Sequence, residues 1–130
     1  MYLTGRIMDV TAAIIMNQNK VLLMRRAQGH SAAGGWEYPG GKIELGETGP
    51  EAIKRELKEE LNIDADIGIM MAETKVLSGN EEIHLMAYQV LSYTGEITLT
   101  DHDAMEWVPA DQLLKHDQLP SDYEITKQIV

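Results

Sequence analysis

The sequence predicts an α/β fold of the α+β kind: a mixed β-sheet with helices packed on both faces, in one domain over residues 1–130. Three observations predict it. Short β-branched, apolar runs recur between clusters of Gly, Asn and Ser, which read as strands and turns. One mid-chain segment, 49–61, combines helical periodicity with capping residues at both ends. Strands and helices interleave without the regular alternation of a wholly parallel sheet.

Taken in order, Val10 to Met16 is β-branched and apolar and reads as a buried strand. Asn17-Gln18-Asn19 turns the chain, and Val21 to Met24 pairs back. Arg25 to Gly35 reads as a polar loop of small residues, with glycines at 29, 34 and 35. Trp36-Glu37-Tyr38 is a short strand running into Pro39-Gly40-Gly41. Beyond the helix come two longer strands, about 66–77 and 82–93, separated by Ser78-Gly79-Asn80. Glu96 to Leu99 and Ala104 to Val108 are short strand candidates. Pro109 to His116 reads as a short helix with proline at its start, and Ser121 to Val130 as a last helix capped by Ser121 or Asp122.

A chain of 130 residues, 44% of them apolar, is long enough to bury one real core. No run approaches the roughly 18–20 apolar residues of a membrane span. Met1 to Arg6 has no basic flank leading into an apolar block, so no signal peptide is expected. The absence of cysteine excludes disulfides and thiolate metal sites and fits a cytoplasmic location. Histidines 30, 84, 102 and 116 are too widely spaced for a zinc pattern. A net charge of -10 argues against a binder of long nucleic acid, whose affinity comes from Lys and Arg on phosphates. A small phosphorylated molecule remains compatible if a divalent cation stands between carboxylate and phosphate. The sequence carries no signal for oligomeric state.

The mid-chain helix concentrates the acids. Thr48-Gly49-Pro50-Glu51 is a capping box, and Asn62 tolerates the left-handed conformation of a C-terminal cap. At about 100° per residue, Ile53, Leu57 and Leu61 fall on one arc, which faces the core. Glu56, Glu59 and Glu60 fall on a second arc, and Glu51, Lys54 and Lys58 take the remaining side. Glu56 stands three and four residues from Glu59 and Glu60, so like charges repel at a cost of a few tenths, about 0.2–0.5 kcal/mol per pair. Either this is a solvated face with poor charge spacing, or it is an oxygen-ligand site for Mg²⁺ or Mn²⁺.

These residues resemble the signature of the Nudix hydrolase family, G-x5-E-x7-R-E-U-x-E-E-x-G-U with U aliphatic. Gly41, Glu47, Arg55-Glu56-Leu57, Glu59-Glu60 and Ile63 stand at its fixed positions, and Asn62 replaces the late glycine. The resemblance implies a Nudix-like α/β/α sandwich with a mixed central sheet. It implies that Glu56, Glu59 and Glu60 bind metal, and that Gly41 or its neighbour Gly40 offers a backbone carbonyl. Arg55 would orient the carboxylates, and Glu47 would tie the loop to the helix or join the metal network. The cofactor implied is Mg²⁺, with Mn²⁺ as the alternative.

Outside the box, Arg25-Arg26-Ala27, Trp36 to Glu44 and Glu106-Trp107 resemble the MutT-like branch, nucleoside triphosphate pyrophosphohydrolases. By that likeness Glu106 is a further metal ligand or the general base, a role one of the helix acids could take instead. Arg26 and Lys42 contact phosphate or are surface charges; Tyr38 lines the base pocket or packs in the core. Asp122 accepts from the base or caps the last helix; the branch carries Asn or Asp there, and Asp marks its CTP pyrophosphohydrolase members. Trp36 and Trp107 read as core, and His84 as packed or surface. The expected reaction is hydrolysis of an oxidised or cytosine-type nucleoside triphosphate, such as 8-oxo-dGTP or (d)CTP, to monophosphate and pyrophosphate. The alternatives are another nucleoside diphosphate-linked substrate, or a non-catalytic nucleotide-binding regulator, against which the complete set of box carboxylates argues.

Overall fold

The computed structural model describes residues 6–29 and 33–130. Its elements are β1 (Arg6–Ile14), β2 (Met16–Asn17), β3 (Lys20–Arg26), β4 (Trp36–Glu37), α1 (Gly49–Leu61), β5 (Asp64–Ser78), β6 (Glu81–Thr94), β7 (His102–Pro109) and α2 (Pro120–Ile129). A 3-10 helix, Ala110–Lys115, joins β7 towards α2 where a short helix is expected. His30 lies outside the described residues.

The mixed sheet is present, but it is divided in two. One sheet runs β1-β6-β5, with β1 parallel to β6. The other holds β2, β3, β4 and β7, all antiparallel. The segment following β4 stitches them together along the free edge of β1: Ala13 N–H donates to Pro39 O and Thr11 N–H to Gly41 O, both at 2.8 Å, and Ile43 N–H returns to Asp9 O at 3.0 Å. The approach is so close that a Cβ on Gly40 would lie 2.1 Å from Thr11 O, which is why glycine stands there.

Alternation along the strands builds two cores. Ala13, Ile15, Leu22 and Met24 point to the α1 face and pack on Ile53, Leu57 and Leu61. Ala12, Ile14, Val21 and Leu23 point the other way and pack with Leu85 and Ile125 of α2. Helix, sheet layer and helix thus form the sandwich. Each fully buried leucine or isoleucine of α1 contributes about 1.5–3 kcal/mol, far more than the repulsion along the acidic arc costs, so the helix tolerates its carboxylates.

Both ends of α1 are fixed locally. Thr48 Oγ1 accepts from Glu51 N–H and the Glu51 carboxylate from Thr48 N–H, completing the capping box. Asn62 closes the helix at φ 59°, with its N–H on the carbonyls of Leu57 and Lys58. The strand expected at Glu96 to Leu99 does not form. Its groups serve the helix end instead: Thr98 N–H donates to Leu61 O at 2.9 Å, and Thr100 Oγ1 donates to Glu60 O. The last helix also starts differently. Leu119 is its N-cap with no side-chain bond, Pro120 opens the first turn, and Asp122 is turned inward.

Candidate active site

Glu47, Arg55 and the carboxylate arc form one web. Arg55 grips Glu47 with two bonds, Nε to Oε2 at 2.7 Å and Nη2 to Oε1 at 3.0 Å. Its Nη1 reaches Glu56 at 3.0 Å and Glu59 at 3.2 Å, and Nη2 also holds the Lys42 carbonyl. The bonds to Glu47, ahead of those to Glu56 and Glu59, hold the Arg55 guanidinium still more firmly protonated than usual. They hold Glu47 below the ordinary carboxylate range. The loop before α1 is thereby tied to the helix, and two carboxylates are steered by one cation.

Glu60 stands apart from that web. It is partly buried, and it accepts Gly40 N–H at 3.0 Å. Burial, then the charge of Glu56, pushes its carboxyl up to about 8. Burial also raises Glu56, whose carboxyl lies so close to the Gly41 Cα that a side chain at 41 would collide with it at 2.4 Å. A divalent cation would relieve this crowding of like charge, and hard oxygen donors suit Mg²⁺ or Mn²⁺. Among the described residues no three acidic or histidine side chains converge tightly enough to enclose a cation as they stand. Glu59 is the outlier, more than half exposed and turned to Arg55.

One expected contributor to that cluster, Glu106, is placed elsewhere. Glu106 pairs in register with Leu23, on the face opposite α1, and its carboxylate meets His116 at 3.3 Å. Directly opposed residues of antiparallel strands share a face, so β7 cannot turn Glu106 towards the helix acids while Trp107, its neighbour, packs with Leu22 on the α1 side. The acid that does face Glu60 from this stretch is Asp101, whose charge adds to the upward push on Glu60. Gly41 lies against the Glu56 carboxyl. Its carbonyl already accepts Thr11 N–H and Thr11 Oγ1, at 2.8 and 2.9 Å, so both lone pairs are engaged. Among the described residues no such bond falls on the Gly40 carbonyl, the other candidate.

Beside the acids opens a cavity of about 460 Å³ with an apolar wall of Val10, Ile83 and Leu85 and a polar end at Tyr38 and Asp122. Arg26 and Lys42 lie on its lining. Tyr38 is buried, and its hydroxyl is committed away from the opening. It donates to Thr126 Oγ1, which donates to Gln118 Oε1, both at 2.5 Å, while Gln118 Nε2 donates to Leu113 O. Asp122 is buried too, with Oδ1 on Tyr38 N–H at 3.0 Å. Burial first, then the charge of Glu37, pushes its carboxyl up to about 7. Trp36 and Trp107 pack against the two cores, and His84 bridges Asp9 and Glu73 near the surface.

A second, smaller cavity of about 160 Å³ lies against Glu60, Asp101 and His102. Arg26, Glu37 and Gly40 line both cavities and form the wall between them. Glu37 is the residue the sequence hid: its Oε1 holds Arg26 at 3.0 Å and its Oε2 holds His102 Nε2 at 2.9 Å. Against the burial that would raise it, the bonds from His102 and Arg26 keep Glu37 below the ordinary range, so a charged carboxylate sits inside the site. The only sequence signal was an acid placed between two aromatics in a short strand.

The match to known proteins follows the same span. The NUDIX domain model matches residues 6–129. The CTP pyrophosphohydrolase of Escherichia coli (strain K12) is 35% identical over 117 residues, 90% of this chain and 87% of that one. The 8-oxo-dGTP diphosphatase of the same organism is 28% identical over 123 residues, 94% of this chain and 95% of that one. The solution structure of the E. coli ORF135 protein superposes with a TM-score of 0.87 at 33% identity, over 95% of this chain and 89% of that one. With the carboxylate helix, its Arg55 web and the stitched sheets behind it, the chain belongs to the Nudix hydrolase family.

Proposed function

We propose that this Nudix enzyme hydrolyses a nucleoside triphosphate of cytosine or oxidised-purine type, such as (d)CTP or 8-oxo-dGTP, to the monophosphate and pyrophosphate. The observation that carries this reading is the shared wall. Arg26, Glu37 and Gly40 separate an apolar cavity, sized for a base, from an acidic one against α1. A nucleotide laid across that wall puts its base beside Tyr38 and Asp122 and its phosphates before Glu56, Glu59 and Glu60.

Those three glutamates, with the Gly40 carbonyl and Asp101, are the groups that would hold a divalent cation, Mg²⁺ first and Mn²⁺ as the alternative. When bound, the cation supplies charge neutralisation at the phosphates and a more acidic water. The chain's own residues do the rest. Arg55 fixes the directions of Glu56 and Glu59. Glu59, the most water-exposed of the pair, takes the proton from the attacking water. Arg26 and Lys42 offer positive charge to the phosphates from the cavity lining. Tyr38 presents its ring, and Asp122 its carboxyl, to the base.

The test is pyrophosphate release with Mg²⁺ on 8-oxo-dGTP, dCTP, 5-methyl-dCTP, CTP and dGTP. Turnover of a cytosine or oxidised-purine substrate well above dGTP is expected. No release from any of them, with nucleotide still bound, would show a regulator and not an enzyme of this reaction.

A further inference from the structure

We propose that His102 is a positioning residue: through Glu37 it holds the Arg26 guanidinium in the wall between the two cavities. Arg26, Glu37 and His102 come from three adjacent strands, β3, β4 and β7. What brings them together is a bulge. Arg25 pairs with Ala104, but Arg26 pairs with His102, so Asp103 is one residue too many in β7. In regular pairing Asp103 would share the face of Arg26. The extra residue hands that place to His102 and leaves Asp103 to Arg25, whose Nε it accepts at 2.7 Å.

The histidine is built as a one-way donor. Its side chain is 2% exposed. Nε2 faces the Glu37 carboxylate at 2.9 Å, while Nδ1 is buried with no partner among the described residues. A proton on Nδ1 would be a buried donor without an acceptor, so the tautomer with the proton on Nε2 is the one this environment takes. That N–H occupies Oε2 of Glu37 and leaves Oε1 to Arg26, whose Nε and Nη2 both lie at 3.0 Å from it. Without His102 the carboxylate loses one of its two anchors, and its hold on the guanidinium loosens.

This assignment rests on the reading that a nucleotide spans the wall, because only then does Arg26 touch substrate. Three variants separate positioning from packing. In H102Q the terminal amide reaches the place of Nε2 and can donate to Glu37; in H102N the amide is too short; in H102A the donor is gone. H102A and H102N are expected to raise KM for the turned-over nucleotide about tenfold, the worth of a charge-assisted hydrogen bond. Their kcat stays within about twofold, and H102Q restores KM to within about threefold of wild type. The Arg26 Nε–H resonance, followed by ¹⁵N NMR without nucleotide, exchanges with water at least several-fold faster in H102A and H102N than in wild type and H102Q. Unchanged KM in folded H102A and H102N overturns the proposal, as does H102Q matching them in KM and exchange with all three equally destabilised. Should H102A fail to fold, the H102Q and H102N pair decides. A wild-type chain inactive on the whole panel overturns the functional reading alone, and the NMR comparison then decides whether His102 holds Arg26.

Discussion

The substitution D122N gives the most direct measure of the site's electrostatics. In the fold, burial and the neighbouring Glu37 push the Asp122 carboxyl up from an ordinary 3.8 to about 7. Between those values the native state holds a proton that the unfolded chain has released. Stability therefore falls as pH rises through this window and is level above about 7, the reverse of a salt-bridged aspartate. One pKa unit corresponds to about 1.4 kcal/mol, so the part of the window between pH 5 and 7 amounts to about 3 kcal/mol. Asparagine has the same shape, keeps an oxygen for Tyr38 N–H, and does not titrate. The stability of D122N minus that of wild type should therefore increase by about 3 kcal/mol from pH 5 to pH 8, with most of the rise before pH 7. Urea denaturation at half-unit pH intervals measures it, and other groups cancel in the difference. A difference flat with pH would refute the reasoning, because Asp122 would then be ionised in the fold at no cost. A difference that fell with pH would mean that the carboxylate is stabilised by its surroundings, Arg26 included.

The remaining predictions concern separate parts of the site. Y38F should lower stability by about 1 kcal/mol, read by thermal denaturation, with KM unchanged, because the hydroxyl bonds Thr126 and not the cavity. G40A should lose several kcal/mol, roughly 3 or more, and most activity, because its Cβ meets the β1 backbone and displaces the N–H that holds Glu60. Chelation of divalent cations should stop pyrophosphate release, Mg²⁺ should restore it, and E60Q should lose about 100-fold or more in kcat with its fold intact by circular dichroism. E106Q, by contrast, should keep kcat within about threefold, since its carboxylate meets His116 on the far face.

How much of this could be read from the chain depended on the range over which each feature is decided. Gly49–Leu61 was legible to the residue because its signals are local: Thr48 and Glu51 close one end, Asn62 the other, and the apolar arc repeats every turn. Of the Arg55 web only the bond to Glu59, four residues on, follows from that spacing; the bonds to Glu47 and the Lys42 carbonyl reach back into the loop. Asp122 was ambiguous because its partner, Tyr38 N–H, lies 84 residues away, and a first-turn Asp looks the same whether it caps a helix or enters a core. Glu106 was named by the likeness alone, and which face of β7 carries it has no visible phase in the sequence until pairing with Leu23 fixes it. The bulge at Asp103, which hands the place beside Arg26 to His102, leaves no sequence mark stronger than an Asp-His-Asp run. Glu96 to Leu99 has strand composition, but the carbonyls at the end of α1 claimed its neighbourhood first.

The two halves of the site are also mechanically separate. The Arg55 web joins Glu47, Glu56, Glu59 and the Lys42 carbonyl, and among the described residues none of its bonds reaches Tyr38, Asp122 or Thr126. The chain of bonds from Tyr38 through Thr126 to Gln118 is anchored on α2 and, among the described residues, makes no bond to α1. What joins them is the wall: Gly40, whose N–H holds Glu60 from one side, and Glu37, whose charge pushes up both Glu60 and Asp122. On the proposed function, a substitution at Asp122 or Tyr38 therefore changes which base is accepted without disturbing the carboxylates. A substitution at Glu37 cannot, because it removes an ionised group that both sides feel. On the proposed reading the signature over Gly41 to Ile63 carries the chemistry and the apolar cavity against α2 takes the base, so Glu37 is the place where a change in one becomes a change in the other.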